Sequence, residues 1–188
     1  VTKDYVLNLE AVLPTGEIIW TGANVLKNST GYNLTQLMIG SEGTLGVITK
    51  IVFKLIPLPT KDITMLVPFG CPERACEAVS AVFRSGITPS ALEFIERDAI
   101  DWTLEYVDFE IQIPDKVKAH LLVEVDGDNM GLLYKDCEKI AKVMEQFDCG
   151  EILLADSERQ KEQLWKLRRS ISEAVKSNSI YKEEDTVV

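Results

Sequence analysis

Three glycines recur at intervals of three in Gly40-Ser41-Glu42-Gly43-Thr44-Leu45-Gly46-Val47-Ile48-Thr49. Glycine admits positive φ and close backbone approach at a cost in chain entropy, so a run of this kind in a β-prone stretch suits main-chain contact with a ligand. It is not a phosphate-cradling P-loop, because no Gly-Lys-Ser/Thr follows, and it lacks the G-x-G-x-x-G spacing of dinucleotide folds. On residue types alone, a bulged, glycine-rich strand entry explains the run slightly better than a ligand cradle. The second chemical candidate is Arg168, one helical turn after Trp165. A guanidinium can hold a carboxylate through two parallel hydrogen bonds. The plainer alternative is a surface arginine paired with an acid such as Glu173, worth little in stability. Ser172 lies one turn further on and reads equally well as part of a site or as ordinary surface. His120, the only histidine, precedes an apolar strand and reads as structural. Glu124 and Asp126 do not read as a metal pair, and no residue is assigned as a catalytic base or metal ligand.

Hydrophobic periodicity gives the elements that must hold these residues. Val6 to Leu13 and Glu17 to Trp20 flank Pro14-Thr15-Gly16 as a β-hairpin. A polar loop from Lys27 to Thr35 leads into a short helix over 34–38. The β-branched run from Gly46 to Ile56 predicts a long buried strand. Trp20 and Tyr32 read as packing residues. Pro57-Leu58-Pro59 then breaks the chain and marks a domain boundary. Beyond it, strands are expected over 63–69, 91–95, 120–125 and 151–155. Helices are expected over 72–85, 97–106, 129–146 and 157–176, with Ala75, Val79 and Val82 on the inner face of the first. In the third, Leu133, Cys137, Ile140 and Met144 point inward. The last opens with a Ser157-x-x-Gln160 capping box and carries a Leu164, Leu167, Ile171, Ala174 stripe. Strand–helix–strand–strand–helix–strand is the ferredoxin-like α+β order.

The chain has 188 residues, 46% of them hydrophobic, and a formal charge of −10. That is enough apolar content for a packed core, and the acidic balance argues against nucleic acid as a partner. No apolar run approaches the length needed to cross a bilayer. Cys71, Cys76, Cys137 and Cys149 form no C-x-x-C pair, so they read as reduced thiols of a cytoplasmic protein. The chain opens on Val1 and stops after an acidic cluster, which reads as a fragment of a larger protein.

Lys27-Asn28-Ser29-Thr30-Gly31-Tyr32-Asn33-Leu34, followed by the glycine run, resembles the FAD-linked oxidases of the vanillyl-alcohol-oxidase superfamily. The nearest branch is that of glycolate oxidase D-subunits and D-lactate dehydrogenases. The likeness continues through Ala91-Leu92-Glu93-Phe94, Leu122-Val123-Glu124-Val125-Asp126-Gly127, Leu164-Trp165-x-x-Arg168 and Glu184-Asp185. It implies an α+β fold: residues 1–58 as the C-terminal portion of an FAD-binding domain, and 59–188 as a truncated, ferredoxin-like cap or substrate domain with an antiparallel sheet. It implies FAD contacts from Glu42, Gly43, Thr44, Leu45, Gly46, Val47 and Ile48, which shifts the glycines towards a cofactor role. It implies substrate contacts from Arg168, Ser172 and Lys182. The expected reaction is hydride transfer from a small 2-hydroxy acid to flavin, with an electron-acceptor subunit or protein as partner and membrane association only through partner subunits. The family's pyrophosphate loop and its downstream His-rich segment, which carries metal ligands and the base, lie outside the chain, so the fragment alone is expected to be inactive. The competing reading is a non-catalytic α+β interaction module whose glycines are structural.

Overall fold

The computed structural model describes residues 2–107, 111 and 113–182. The chain divides into two compact units, Val1–Leu58 and Pro59–Val188.

In the first unit a short 3-10 turn, Thr2–Tyr5, leads into β1 (Val6–Val12). The chain reverses through Gly16 at φ +85°, and Leu13 and Glu17 close the hairpin with a 2.9 Å backbone bond into β2 (Ile18–Trp20). Helix α1 (Leu34–Met38) begins where the Asn33 side chain accepts the Gln36 N–H. Strand β3 (Val47–Phe53) returns on the other side of β1, so the sheet order is β2-β1-β3 and every pairing is antiparallel. Leu9, Ala11 and Met38 form its small core. Buried Asn8 ties this core to the loop after β2: its Oδ1 accepts from the N–H groups of Gly22 and Leu9, and its Nδ2 donates to Asn24.

Two expectations fail here. The stretch expected as a long buried strand is seven residues long and lies at the sheet edge, with Val47 64% exposed and only Val52 half-buried. Its β-branched composition records strand propensity, whereas burial depends on what covers the strand, and the core of this unit is centred on β1. Tyr32 is 95% exposed rather than packed, and Trp20 is half-exposed beneath the Lys50 ammonium, 6.0 Å from its ring.

The second unit begins with β4 (Lys61–Phe69). Helix α2 (Pro72–Arg84) has proline in its first turn, where no N–H is needed. β5 (Ala91–Glu96), α3 (Arg97–Leu104), β6 (Ala119–Gly127), α4 (Met130–Met144), β7 (Leu153–Leu154) and α5 (Glu158–Asn178) follow. The sheet order is β5-β6-β4-β7, all antiparallel, which is the ferredoxin-like arrangement. β4 and β6 pair over their full nine residues. Period-two alternation then divides the sheet into two faces. Ile63, Met65, Val67 and Phe69, with Leu121, Val123 and Val125, pack against α2 and α4. Ala75, Ala78 and Val82 are the buried residues of α2, with Val79 only partly buried, and all four inward residues expected on α4 are buried. Leu66, Leu122 and Ile95 face the other way, onto Ile100 of α3 and Leu164 and Leu167 of α5.

β7 is shorter than expected. Pro68 has no N–H to donate, so pairing with β4 is interrupted after Leu66↔Leu153 and resumes only at the Phe69↔Cys149 bridge. The α5 cap also differs in detail: Ser157 accepts the Gln160 N–H, but the Gln160 side chain accepts from Asp156 rather than from Ser157. The Glu183-Glu184-Asp185 run lies outside the described residues.

His120 is 3% exposed at the start of β6, and its Nδ1 has no hydrogen-bond partner among the described residues. Burial, helped by the nearby Arg97 guanidinium, lowers its pKa from the usual 6.5 to about 4. The unfolded chain therefore binds the proton first as pH falls, so this contribution to stability is complete above pH 6.5 and is lost as pH falls towards 4. Between pH 7.5 and 5 the loss is about 2 kcal/mol. Urea unfolding at the two pH values should show that much more destabilisation for the native chain than for His120→Leu. Equal pH dependence in both would refute the assignment.

Candidate functional site

In the first unit the glycine run forms a tight turn that feeds β3. Thr44 donates its N–H to the Ser41 carbonyl at 2.9 Å, and its hydroxyl donates to the same oxygen at 2.6 Å. The two central residues, Glu42 (φ +50°) and Gly43 (φ +79°), are both left-handed, as a type I′ turn requires. The conformation suits Gly43 and strains Glu42. Among the described residues, the N–H groups of Glu42, Gly43 and Leu45 have no acceptor. Such a row of free amides at the surface matches anionic oxygens. Leu45, Val47 and Ile48 lie exposed beside it. Gly46 is buried for a different reason: a Cβ there would sit 2.8 Å from the Val12 carbonyl oxygen and 3.1 Å from Met38 Cε.

In the second unit the polar residues of α5 meet carboxylates on the sheet. Lys161 Nζ binds Asp62 of β4 at 2.7 Å, which together with Glu158 raises the lysine pKa. Trp165 Nε1 donates to Glu124 Oε2 of β6 at 2.7 Å, and the Thr64 hydroxyl donates to the same oxygen at 3.0 Å. Arg168 directs both Nε (2.9 Å) and Nη2 (2.8 Å) to Glu93 Oε2 on β5. The arginine is therefore paired, but with a residue 75 positions away, while Glu173 binds Lys176. Arg168 Nη1 has no protein partner among the described residues. Ser172, half-buried and one turn on, makes no hydrogen bond there either, whereas the Ser177 and Ser179 hydroxyls are tied back to helix carbonyls. Lys182 is exposed, four residues past the end of α5.

The structure thus groups Arg168 and Ser172 on one helix face, while the Glu42–Ile48 segment stands in the other unit. Residue spacing did not identify Glu93, Glu124 or Thr64 as members of the α5 cluster. The available signal was a set of polar residues at positions of β4, β5 and β6 that alternate with core residues. A separate cavity of about 510 Å³ lies between Leu66, Pro68, Ile113, His120, Ile152 and Leu153, and neither Arg168 nor Ser172 lines it. No group of three or more potential metal ligands occurs among the described residues, and no helix there is long and apolar enough to cross a membrane.

Residues 58–188 match the family model for the C-terminal domain of FAD linked oxidases. The chain belongs to the FAD-linked oxidase family. Over its whole length it is 35% identical to a D-lactate dehydrogenase of Anaerostipes hadrus, and over 93% of its length 37% identical to the glycolate oxidase subunit GlcD of Bacillus subtilis. It spans 40% and 37% of those two relatives. Among solved structures, alkyldihydroxyacetonephosphate synthase shares the fold over 89% of this chain and 32% of its own, at a TM-score of 0.63 and 17% identity.

The FAD-linked oxidase turn can be tested through its glycines. Gly46→Ala should cost about 1–3 kcal/mol, because the nearer obstacle is backbone that cannot rotate away. Gly43→Ala, with open space but positive φ, should cost about 1 kcal/mol. Denaturant midpoints would measure both, and a neutral Gly46→Ala would show that the close packing against β1 is absent.

Proposed function

We propose that the protein carrying this chain is an FAD-dependent oxidoreductase that oxidises a small 2-hydroxy acid of the glycolate or D-lactate type. The observation that carries the reading is Arg168, a guanidinium held on one edge by Glu93 while its Nη1 has no protein partner among the described residues, one helical turn before a Ser172 hydroxyl that makes no hydrogen bond there. The whole-length similarity to a D-lactate dehydrogenase and the similarity to a glycolate oxidase subunit support the same substrate class.

The glycine turn fits the cofactor on its own chemistry. The N–H groups of Glu42, Gly43 and Leu45, without an acceptor among the described residues, suit diphosphate or ribose oxygens, and exposed Val47 and Ile48 offer apolar contact to the adenine end. Thr44 braces the turn through its two bonds to Ser41, and Gly46 lets the backbone lie close to β1. In this reading residues 1–58 are the end of an FAD-binding domain and 59–188 part of the cap domain. Bound flavin supplies the acceptor for the hydride that leaves the α-carbon. Arg168 holds the substrate carboxylate, Ser172 offers a hydroxyl to the same group, and Lys182 is a further cationic substrate contact in this reading. The hydroxyl proton passes to a base contributed by the rest of the protein. The partner in this reading is an electron-acceptor subunit or protein.

The test uses the full-length protein. It should purify with a visible flavin spectrum, and anaerobic glycolate or D-lactate should bleach it. Absence of flavin, or no bleaching by any 2-hydroxy acid, would overturn the reading. Arg168→Leu should raise KM about 10-fold or more, the equivalent of losing a charge-assisted hydrogen bond. Unchanged kinetics would remove Arg168 from the substrate site.

A further inference from the structure

We infer that Glu93 is a positioning residue, which holds one edge of the Arg168 guanidinium so that the other edge faces the substrate carboxylate. The inference rests on the proposed role of Arg168.

A guanidinium has two edges that can each grip a carboxylate: the side edge, Nε with Nη2, and the end edge, Nη1 with Nη2. Glu93 occupies the side edge through a single oxygen, at 2.9 Å from Nε and 2.8 Å from Nη2. Among the described residues no protein group takes the end edge, which keeps both Nη1 protons and the second proton of Nη2. A substrate carboxylate therefore need not displace Glu93 to bind in two-pronged fashion.

Glu93 is well placed for this. It lies inside β5, paired with Leu122 of β6, and β6 is the strand fully zipped to β4. β5 is an edge strand, so its backbone is held from one side by β6, and a site held from a strand is held more tightly than one held from a loop. Arg168 starts from the opposite layer, on a helix anchored by Leu164 and Leu167. The ion pair spans helix and sheet and fixes a side chain that otherwise has about 2 kcal/mol of rotamer freedom to lose on binding. Both side chains are about one-third exposed (37% and 35%), so the pair itself adds little to stability. Its consequence lies in orientation.

Glu93 also adds a negative charge beside an anion site. Binding is then stronger for a ligand that uses the free edge with good geometry than for one attracted by charge alone.

The experiment compares Glu93→Ala, Glu93→Gln and Arg168→Leu in the full-length flavoprotein. Glu93→Ala should lower kcat/KM about 5- to 20-fold, chiefly through KM, with the flavin spectrum and melting temperature unchanged. Glu93→Gln keeps an acceptor oxygen at the same reach and should stay within about 3-fold of wild type. The Glu93→Ala/Arg168→Leu double variant should be no worse than Arg168→Leu alone, because the two act as one unit. If Arg168→Leu raises KM but Glu93→Ala does not, the positioning role is wrong and the Arg168 reading stands. If Arg168→Leu leaves KM unchanged, the underlying reading fails. If Glu93→Ala acts through lost flavin or a lowered melting temperature, or if Glu93→Gln fails to restore KM, the residue is structural and the inference is overturned.

Discussion

The docking of α5 on the sheet is the constraint on which the second unit's chemistry depends. Leu164 and Leu167 supply the apolar part of that contact, burying against Leu66, Leu122 and Ile95. Full burial of a leucine side chain contributes roughly 1.5–3 kcal/mol. The polar part runs alongside it: Lys161 to Asp62, Trp165 to Glu124 and Arg168 to Glu93, each on a different strand. Helix positions 161, 165 and 168 lie on one stripe, and the carboxylates they meet share one sheet face. Sliding α5 by one turn would break all three bonds together. Hydrophobic packing thus sets how closely the helix approaches, and the polar bonds set its register.

The first unit uses a different device. Its sheet is small and its core centres on three buried residues, so the position of the glycine turn depends on local geometry more than on core mass. Thr44 closes the turn, Gly43 accepts its positive φ, and Gly46 lets β3 start directly against the Val12 carbonyl. A strained non-glycine residue, Glu42, sits at the apex of this arrangement. Backbone strain of that kind persists only where the surroundings over-determine it. Here a hydrogen-bonded turn on one side and a paired strand on the other supply that determination.

Much of the fold was legible because its elements obey simple periods. Leu133, Cys137, Ile140 and Met144 were assigned inward from helical spacing, and all are buried. The α+β class and the ferredoxin-like order followed from the element sequence and the family likeness. What periodicity could not supply was neighbourhood. It marked β3 as a strand but not as an exposed edge, and it could not foresee that Pro68 would interrupt pairing with β7. The candidate site divides the same way. Arg168 and Ser172 share a helix face by their i, i+4 spacing, which a sequence reveals. Glu93, the partner of Arg168, comes from a strand 75 residues earlier, and only the sheet register brings it there. Likewise Glu124 serves Trp165 and Thr64 at once, a junction of three elements that no single periodic segment contains.

The central claim is that the free edge of Arg168 receives a small carboxylate. The most direct measurement is equilibrium binding of oxalate, an unreactive dicarboxylate, to the oxidised full-length flavoprotein, followed by perturbation of the flavin's visible spectrum. Loss of a two-pronged, charge-assisted contact should weaken binding about 10- to 100-fold in Arg168→Leu, with flavin content unchanged. An oxalate affinity equal to that of the wild type would contradict the account.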